Sequence, residues 1–344
     1  MLAVLLLALS LQEGGKKLVE FGWDEPDPAF MRRNAEQMEK SPFDGCVFHL
    51  NGFTWEVWGA KKFTKEQLQP QIDDLKAASF RRFSSNFLRF NTTPGKLDWF
   101  DDHAAVAANA RLAAEIAREG KCKGILLDSE AYDGPLFDYR RQRDAATKTW
   151  DAYAARARAV GRSVMAAFQE GYPGVTVLAT FGHSLPWFQA TKDGAKKPLQ
   201  QVEYGLLASF MDGMVEACSG GARIVDGYEL SYGFRKDSEF ADAKAEIRER
   251  VLPIVADPRK YAEAVSVGFG IWMDRDRHQK PWDLTDFSKN YFTPEALEAS
   301  LRAAFKTADE YVWLYSESPR WWTKDGKTAD LPAAYEEAVR RSRK

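Results

Sequence analysis

Short apolar runs rich in β-branched and aromatic residues alternate with longer helical patterns along this chain. The predicted strands lie at 17–25, 45–52, 86–93, 123–132, 174–184, 223–234, 264–274 and 310–322. The predicted helices follow them at 27–40, 64–79, 101–119, 138–170, 199–219, 238–256, 294–307 and 331–342. Strands that alternate with helices predict parallel pairing through right-handed crossovers.

Eight strand–helix units predict an α/β protein with a (β/α)8 TIM-barrel fold, built as a single domain with elaborated loops on the C-terminal face. A doubly wound sheet is the alternative, but the first strand runs into GWDEPDP, where a dinucleotide-binding fold would have GxGxxG. Polar loops with interspersed aromatic residues lie at 52–63, 133–138, 185–198 and 275–292. Barrel enzymes build their active sites from loops on this face, so we expect the functional site there.

The chain opens with an apolar stretch, MLAVLLLALSLQ, that is too short to span a bilayer. It resembles the apolar centre of a secretory signal, although it lacks a preceding basic segment and a clear A-x-A cleavage site. We predict a signal peptide at 1–14 and a barrel catalytic domain at 15–344. The mature protein is expected to be soluble, outside the membrane, and secreted or periplasmic.

Composition narrows the classes of partner. The 344 residues include 48 Lys and Arg against 50 Asp and Glu, and this balance predicts no nucleic-acid partner. Cys46, Cys122 and Cys218 follow no metal-binding or disulfide-framework spacing, which favours buried thiols and leaves one disulfide open. The four histidines show neither H-x-H nor H-E-x-x-H spacing, so we expect no metal and no cofactor, with only a divalent cation on the acidic rim left open. The sequence does not indicate the oligomeric state.

The fourth predicted strand, KGILLDSEAY, ends in two carboxylates. Side chains alternate along a strand, so Asp128 and Glu130 project to the same side at the C-terminal mouth. Partial burial and mutual repulsion raise the pKa of such carboxyl groups, which would let Glu130 hold a proton near neutral pH. We therefore predict that Glu130 is a general acid. A helix cap or a rim salt bridge is the structural alternative, but Asp138 is the expected cap of the next helix.

Other strand ends carry polar and aromatic residues. Carboxylates and amides pair with sugar hydroxyls, and indole rings pack on the C–H faces of pyranoses, so the mouth is suited to a carbohydrate. The further catalytic candidates are Tyr232, Glu317 and Glu229. The predicted substrate-binding residues are Asp24, Asn51, Asn91, Tyr132, His183, Trp272, Asp274, Tyr315 and Trp321.

Three segments resemble the family 18 glycoside hydrolases. GILLDSE at 124–130 resembles their fourth-strand motif D-G-x-D-x-D-x-E, with Lys123 and Leu126 in place of two of its acids. DGYELSYGF at 226–234 is similar to their sixth-strand segment ending in M-x-Y-D, with Gly233 in place of the final Asp. YVWLYSE at 311–317 is similar to their eighth strand.

The resemblance implies a substrate-assisted glycosidase acting on an N-acetylhexosamine. Glu130 would protonate the glycosidic oxygen, Asp128 would orient the 2-acetamido group, and Tyr232 would donate a hydrogen bond to that group. A retaining glycosidase with Glu317 or Glu229 as the nucleophile is a second hypothesis. A non-catalytic carbohydrate-binding barrel, or a barrel enzyme of another chemistry such as a lyase or isomerase, also remains open.

Overall fold

The computed structural model describes residues 15–318, 320–322 and 331–344, so the signal peptide predicted at 1–14 lies outside the described residues. The described strands all pair in parallel, in the order β7-β6-β5-β4-β3-β2-β1-β9-β8. They are β1 (Lys17–Gly22), β2 (Gly45–Phe48), β3 (Phe87–Asn91), β4 (Gly124–Asp128), β5 (Thr176–Ala179), β6 (Arg223–Asp226), β7 (Val265–Val267), β8 (Phe269–Trp272) and β9 (Tyr311–Ser316).

The sheet curls into a (β/α)8 barrel because its two ends are consecutive pieces of one stretch of chain. β7 pairs with β6 and β8 pairs with β9, and only Gly268 separates β7 from β8. The Gly268 amide donates to the carbonyl of Asp226 at 2.8 Å. β7 and β8 together are the predicted seventh strand, and the TIM-barrel prediction is confirmed.

Ten α-helices surround the strands in the described part of the chain. They are α1 (Pro28–Lys40), α2 (Lys65–Ala77), α3 (Ala104–Glu119), α4 (Trp150–Gly171), α5 (Ser184–Thr191), α6 (Gly205–Ala217), α7 (Asp237–Ala245), α8 (Pro258–Ala264), α9 (Pro294–Thr307) and α10 (Ala333–Ser342). None of the helices described is both long enough and apolar enough to cross a membrane.

Several of the predicted boundaries are wrong. The helix expected from 138 begins only at Trp150, because the Thr149 side chain accepts from the backbone amide of Ala152 and caps α4 there. Asp138 instead accepts from the backbone amide of Arg140 and starts a single 3-10 turn. The loop predicted at 185–198 begins as helix α5, and α8 was not predicted at all.

The barrel interior is packed with large side chains, so the functional site must lie above it. Trp313 is almost fully buried there, and its indole nitrogen donates to the carbonyl of Gly227 at 2.8 Å. Gly270 makes room for this ring, since a Cβ at that position would approach the indole to 2.5 Å. The three thiols lie elsewhere in the fold, and all are buried and free.

Candidate active site

A cavity of about 580 Å³ opens at the C-terminal ends of the strands. Its wall combines four carboxylates with several aromatic rings. The lining residues are Phe21, Gly22, Trp23, Glu25, His49, Trp55, Arg89, Glu130, Tyr132, Glu229, Tyr232, Trp272, Tyr315 and Glu317. The polar and aromatic mouth expected from the strand ends is therefore present in the structure.

Glu130 and Asp128 share one environment at the end of β4. The Glu130 amide donates to Asp128 Oδ1 at 3.0 Å, and the Tyr132 hydroxyl lies 3.0 Å from Glu130 Oε1 and 3.2 Å from Asp128 Oδ2. Burial and then the charge of Asp128 raise the pKa of Glu130 to about 7, against the opposing effects of Tyr132 and Arg89. A carboxyl group with this pKa is mostly protonated below about pH 7 and mostly ionised above it.

Asp128 does not line the cavity, because Arg89 from β3 covers it. The Asp128 side chain is fully buried and Oδ2 accepts from Arg89 Nε at 3.1 Å and from Nη2. The same guanidinium pairs with Glu25 at 2.9 Å, bonds to Asn91 Oδ1 at 3.2 Å and lies 4.6 Å from the ring centre of Trp55. Direct contact of Asp128 with a substrate would require this ion pair to open.

Glu229 enters the cavity from the turn that follows β6. The chain reverses sharply at Tyr228, whose φ of 43° is in the left-handed region, and a 3-10 turn begins at Glu229. Burial, followed by the charges of Glu130 and Asp128, raises the pKa of Glu229 well above its ordinary value. Its Oε2 has no hydrogen-bond partner among the described residues.

Glu317 follows β9, on the side of the barrel opposite β4, and its carboxylate forms an ion pair. Its carboxylate pairs with Arg277, accepts from His278 Nε2 at 2.7 Å and lies 3.2 Å from the Tyr315 hydroxyl. Behind it, fully buried Asp274 accepts from the Glu317 amide at 3.1 Å. Asp274 does not line the cavity, and it acts here by fixing the end of β9.

Two predicted substrate-binding residues lie between other elements of the fold. β5 ends at Ala179, so His183 sits at the start of α5, where it is buried, bonds to Asp212 at 3.0 Å and packs edge-on against Tyr261. Trp321 is buried against Phe43, with ring centres 4.6 Å apart. Neither side chain lines the cavity.

Three more predicted binding residues lie outside the cavity wall. Asp24 turns away from the mouth and accepts from the Trp322 amide at 2.5 Å. Asn51 is exposed and bonds to His49 and Asp27 at 3.1 and 3.0 Å. Asn91 is buried, and its Oδ1 accepts a hydrogen bond from Arg89 Nε. Tyr132, Trp272 and Tyr315, by contrast, all line the cavity.

Sequence reasoning missed several cavity residues. Trp23 and Trp55 stand at the rim with 52% and 47% of their surface exposed. Arg89 was also missed, and it forms a buried ion pair beside Asp128 with Glu25, one of the polar residues at the end of the first predicted strand. The signal that could have found Arg89 is its position inside the apolar strand FLRFN, since a charge buried in a strand requires a partner. The described ranges contain no group of three or more His, Cys, Asp or Glu side chains placed to hold a metal ion.

Comparisons with known proteins give a fold and no family. No protein-family model matches the chain, and no curated protein matches it. A trimodular endoglucanase of glycoside hydrolase family 5, subfamily 4, aligns with 96% of this chain and 60% of its own length, at 10% identity and a TM-score of 0.54. This chain thus spans well under two thirds of that protein.

Two further solved structures align in the same way. A family 5 xyloglucanase from Bacteroides ovatus covers 95% of this chain and 74% of its own length, at 12% identity and a TM-score of 0.53. The tri-modular endo-β-1,4-glucanase B from Bacillus halodurans covers 94% of this chain and 56% of its own length, at 10% identity and a TM-score of 0.52. The comparisons do not support family 18 specifically. What this chain shares with these proteins is the (β/α)8 barrel fold.

Proposed function

We propose that this chain is a glycoside hydrolase acting on an oligo- or polysaccharide, with Glu130 as the general acid. The observation that carries the proposal is a carboxyl group with a pKa of about 7 in an aromatic-walled cavity that other carboxylates share. Such a group can deliver a proton to a leaving oxygen at neutral pH. The fold agrees, since an endoglucanase and a xyloglucanase use the same barrel.

Glu317 is the best candidate for the second carboxylate. When β7 and β8 are counted as one strand, β9 is four strands from β4 in either direction, which supports a placement of Glu317 and Glu130 on opposite sides of the mouth. Glu317 is paired with the Arg277 cation, whereas the raised pKa of Glu229 favours the neutral form of that carboxyl group. Glu130 would protonate the glycosidic oxygen as the C1–O bond breaks, and the Glu317 carboxylate would stabilise or trap the positive sugar carbon before water adds.

We assign Asp128 a supporting role. Unlike Glu317, Asp128 does not line the cavity, and both of its oxygens accept hydrogen bonds, from Arg89 and from the amide of Glu130. The geometry therefore favours catalysis by two carboxylates over assistance by a substrate acetamido group, in which Asp128 would have to contact the sugar.

The rim supports a substrate longer than one sugar. Trp23, Trp55 and Tyr132 each expose about half of their surface, at 52%, 47% and 48%, where the cavity meets solvent. Exposed rings of this size at a cavity mouth are costly to leave bare and are suited to stacking on sugar faces. We propose that they bind units on either side of the one being cleaved.

Replacement of Glu130 by Gln tests the proposal. The wild type should hydrolyse at least one member of a panel of β-1,4-glucans, xyloglucan, chitin oligosaccharides and aryl glycosides, and Glu130→Gln should lower kcat on natural linkages by about 10²–10⁴-fold while binding persists. Glu263→Gln, at an exposed position of α8, is the matched control and should leave kcat unchanged. Binding without hydrolysis by the wild type would instead indicate a carbohydrate-binding barrel.

We also propose that the chain is exported, on the strength of the apolar stretch at 1–12 alone. Amino-terminal sequencing of the protein recovered from the periplasm or the medium should find cleavage near residue 14. Recovery of the uncleaved chain from the cytoplasm would contradict this.

A further inference from the structure

The Tyr132 hydroxyl lies at the centre of three polar groups. It is 3.0 Å from Glu130 Oε1, 3.2 Å from Asp128 Oδ2 and 3.3 Å from Arg89 Nη2. A phenol has one hydrogen to donate, and two carboxyl groups compete for it here. The identity of the acceptor decides how the Glu130 carboxyl group is held.

Arg89 settles that competition in favour of Glu130. Asp128 Oδ2 already accepts two hydrogen bonds from the guanidinium, through Nε and Nη2. Arg89 Nη2 also donates to the Tyr132 oxygen, which directs the phenolic hydrogen away from the guanidinium. This leaves Glu130 Oε1 as the carboxyl oxygen that accepts the phenolic hydrogen.

We propose, building on the function proposed above, that Tyr132 is a positioning residue that engages Glu130 Oε1 and thereby places the acidic proton on Oε2, the oxygen left free to face the glycosidic oxygen. No described group bonds to Oε2, and Glu130 lines the cavity. The Tyr132 ring packs edge-on against Trp55, with centres 5.5 Å apart, which steadies the phenol at the mouth. A substrate stacked on Trp55 would therefore influence, through this ring contact, the position of Tyr132 and so the orientation of Glu130.

Removal of the hydroxyl deletes the hydrogen bond to Glu130 together with the one that the hydroxyl accepts from Arg89, and it changes no charge. The charged and titratable groups that face Glu130 from the surrounding elements are Asp128, Arg89, Tyr204, Glu229, Tyr232 and Tyr315. Tyr132→Phe leaves them all in place. Because the Tyr132 hydrogen bond lowers the pKa of Glu130, its loss should raise that pKa.

The test compares pH profiles and leaving groups. Tyr132→Phe should move the alkaline limb of kcat up by about 0.5–1 pH unit and lower kcat on natural linkages roughly 10- to 100-fold. On a dinitrophenyl glycoside, whose leaving group needs no proton, kcat should fall less than about threefold. The control is Tyr204→Phe, because the Tyr204 hydroxyl accepts from the Ala131 amide at 3.1 Å and holds the same loop without contacting the carboxyl group. Tyr204→Phe should leave the alkaline limb in place.

An unchanged alkaline limb in Tyr132→Phe, with equal losses on both leaving groups, would overturn the proposal. A carbon-13 NMR titration of the Glu130 carboxyl group needs no turnover. It therefore tests the Tyr132–Glu130 contact separately from the assignment of the chain as a glycosidase. If Glu130→Gln hydrolyses natural linkages normally, the assignment fails. The proposed contact is upheld when the titration midpoint is higher in Tyr132→Phe than in the wild type, and it is refuted when the two midpoints coincide.

Discussion

At the scale of the residue, the chemistry of the mouth depends on how the charges around Glu130 are balanced. Burial alone raises its pKa, and Asp128 beneath it adds to that effect. The Tyr132 hydrogen bond and then the charge of Arg89 oppose both, and the balance leaves the pKa at about 7. A general acid is most effective when its pKa is close to the working pH, so the Arg89 guanidinium helps to make Glu130 suitable as a general acid.

This balance predicts a pH dependence. Glu130 must carry its proton to act, so kcat should be retained below pH 7 and lost as pH rises through about 7. Asp128→Asn removes a negative charge that raises the pKa of Glu130 and leaves Arg89 less compensated, and both changes lower that pKa. The alkaline limb should therefore move to lower pH. The control is Asp133→Asn, the same charge change at an exposed position of the same loop, which solvent screens. A limb that moves equally in both variants would contradict the balance described here.

At the scale of the element, the helices that border the active-site loops depend on close backbone contact. α4 and α6 pack against each other through glycines on both sides. A Cβ at Gly161 would approach the Phe210 carbonyl oxygen to 2.0 Å, and one at Gly213 would approach that of Arg158 to 1.9 Å. The two helix backbones can come this near only because neither position carries a side chain.

Gly213→Ala should therefore destabilise the protein, although alanine favours helix formation. In an open helix the change would add roughly 0.4–1 kcal/mol of stability, whereas here the new methyl group must push the helices apart, and we expect a net loss of about 1–3 kcal/mol. Urea denaturation measures the difference in the free energy of unfolding. Ser163→Ala, at an exposed position of α4, is the control and should change stability by less than about 0.5 kcal/mol. A variant as stable as the wild type would show that α4 and α6 can separate at no cost.

The same scale explains what the sequence could predict. Strand alternation predicted that Asp128 and Glu130 lie together, because that pattern is local. They do lie together, but β4 ends at Asp128, and the hydrogen bond from the Glu130 amide to Asp128 Oδ1 holds the two residues beside each other. Arg89 was missed because its pairing with Asp128, 39 residues further along the chain, depends on the register that sets Asn91 beside Asp128, and register between strands is a tertiary property. The start of α4 was misplaced by twelve residues, because Asp138 and Thr149 are both good caps and only packing selects Thr149.

At the scale of the whole molecule, the barrel is completed by side chains where its strands are interrupted. β7 pairs with β6 and not with β9, so a continuous row of strand-to-strand backbone hydrogen bonds is missing between β7 and β9. Asp309, just before β9, supplies hydrogen bonds to β7 instead. Its amide donates to the Val267 carbonyl at 2.9 Å, and its Oδ2 accepts from the Val267 amide at 2.8 Å. Lys244 and Arg248 pair with the same carboxylate and connect it to the layer of helices.

Asp309→Asn should weaken the closure of the barrel in a pH-dependent way. Burial acts to raise the pKa of Asp309, but the hydrogen bonds from Lys244 and Val267 and the charge of Arg248 outweigh it and lower the pKa. A carboxyl group with a lowered pKa stabilises the fold above its unfolded pKa of about 3.9, and that contribution is lost as pH falls through the folded value.

The free energy of unfolding of Asp309→Asn should thus be about 1–3 kcal/mol below that of the wild type at pH 7, with the gap narrowing as pH falls towards and below about 4. Urea denaturation at a series of pH values measures the gap. Asp242→Asn is the control, because Asp242 also pairs with an arginine, Arg250, but leaves 71% of its side chain exposed. It should cost less than about 0.5 kcal/mol at any pH. A gap for Asp309→Asn that stayed constant with pH would mean that the shape of the side chain, and not its charge, closes the barrel.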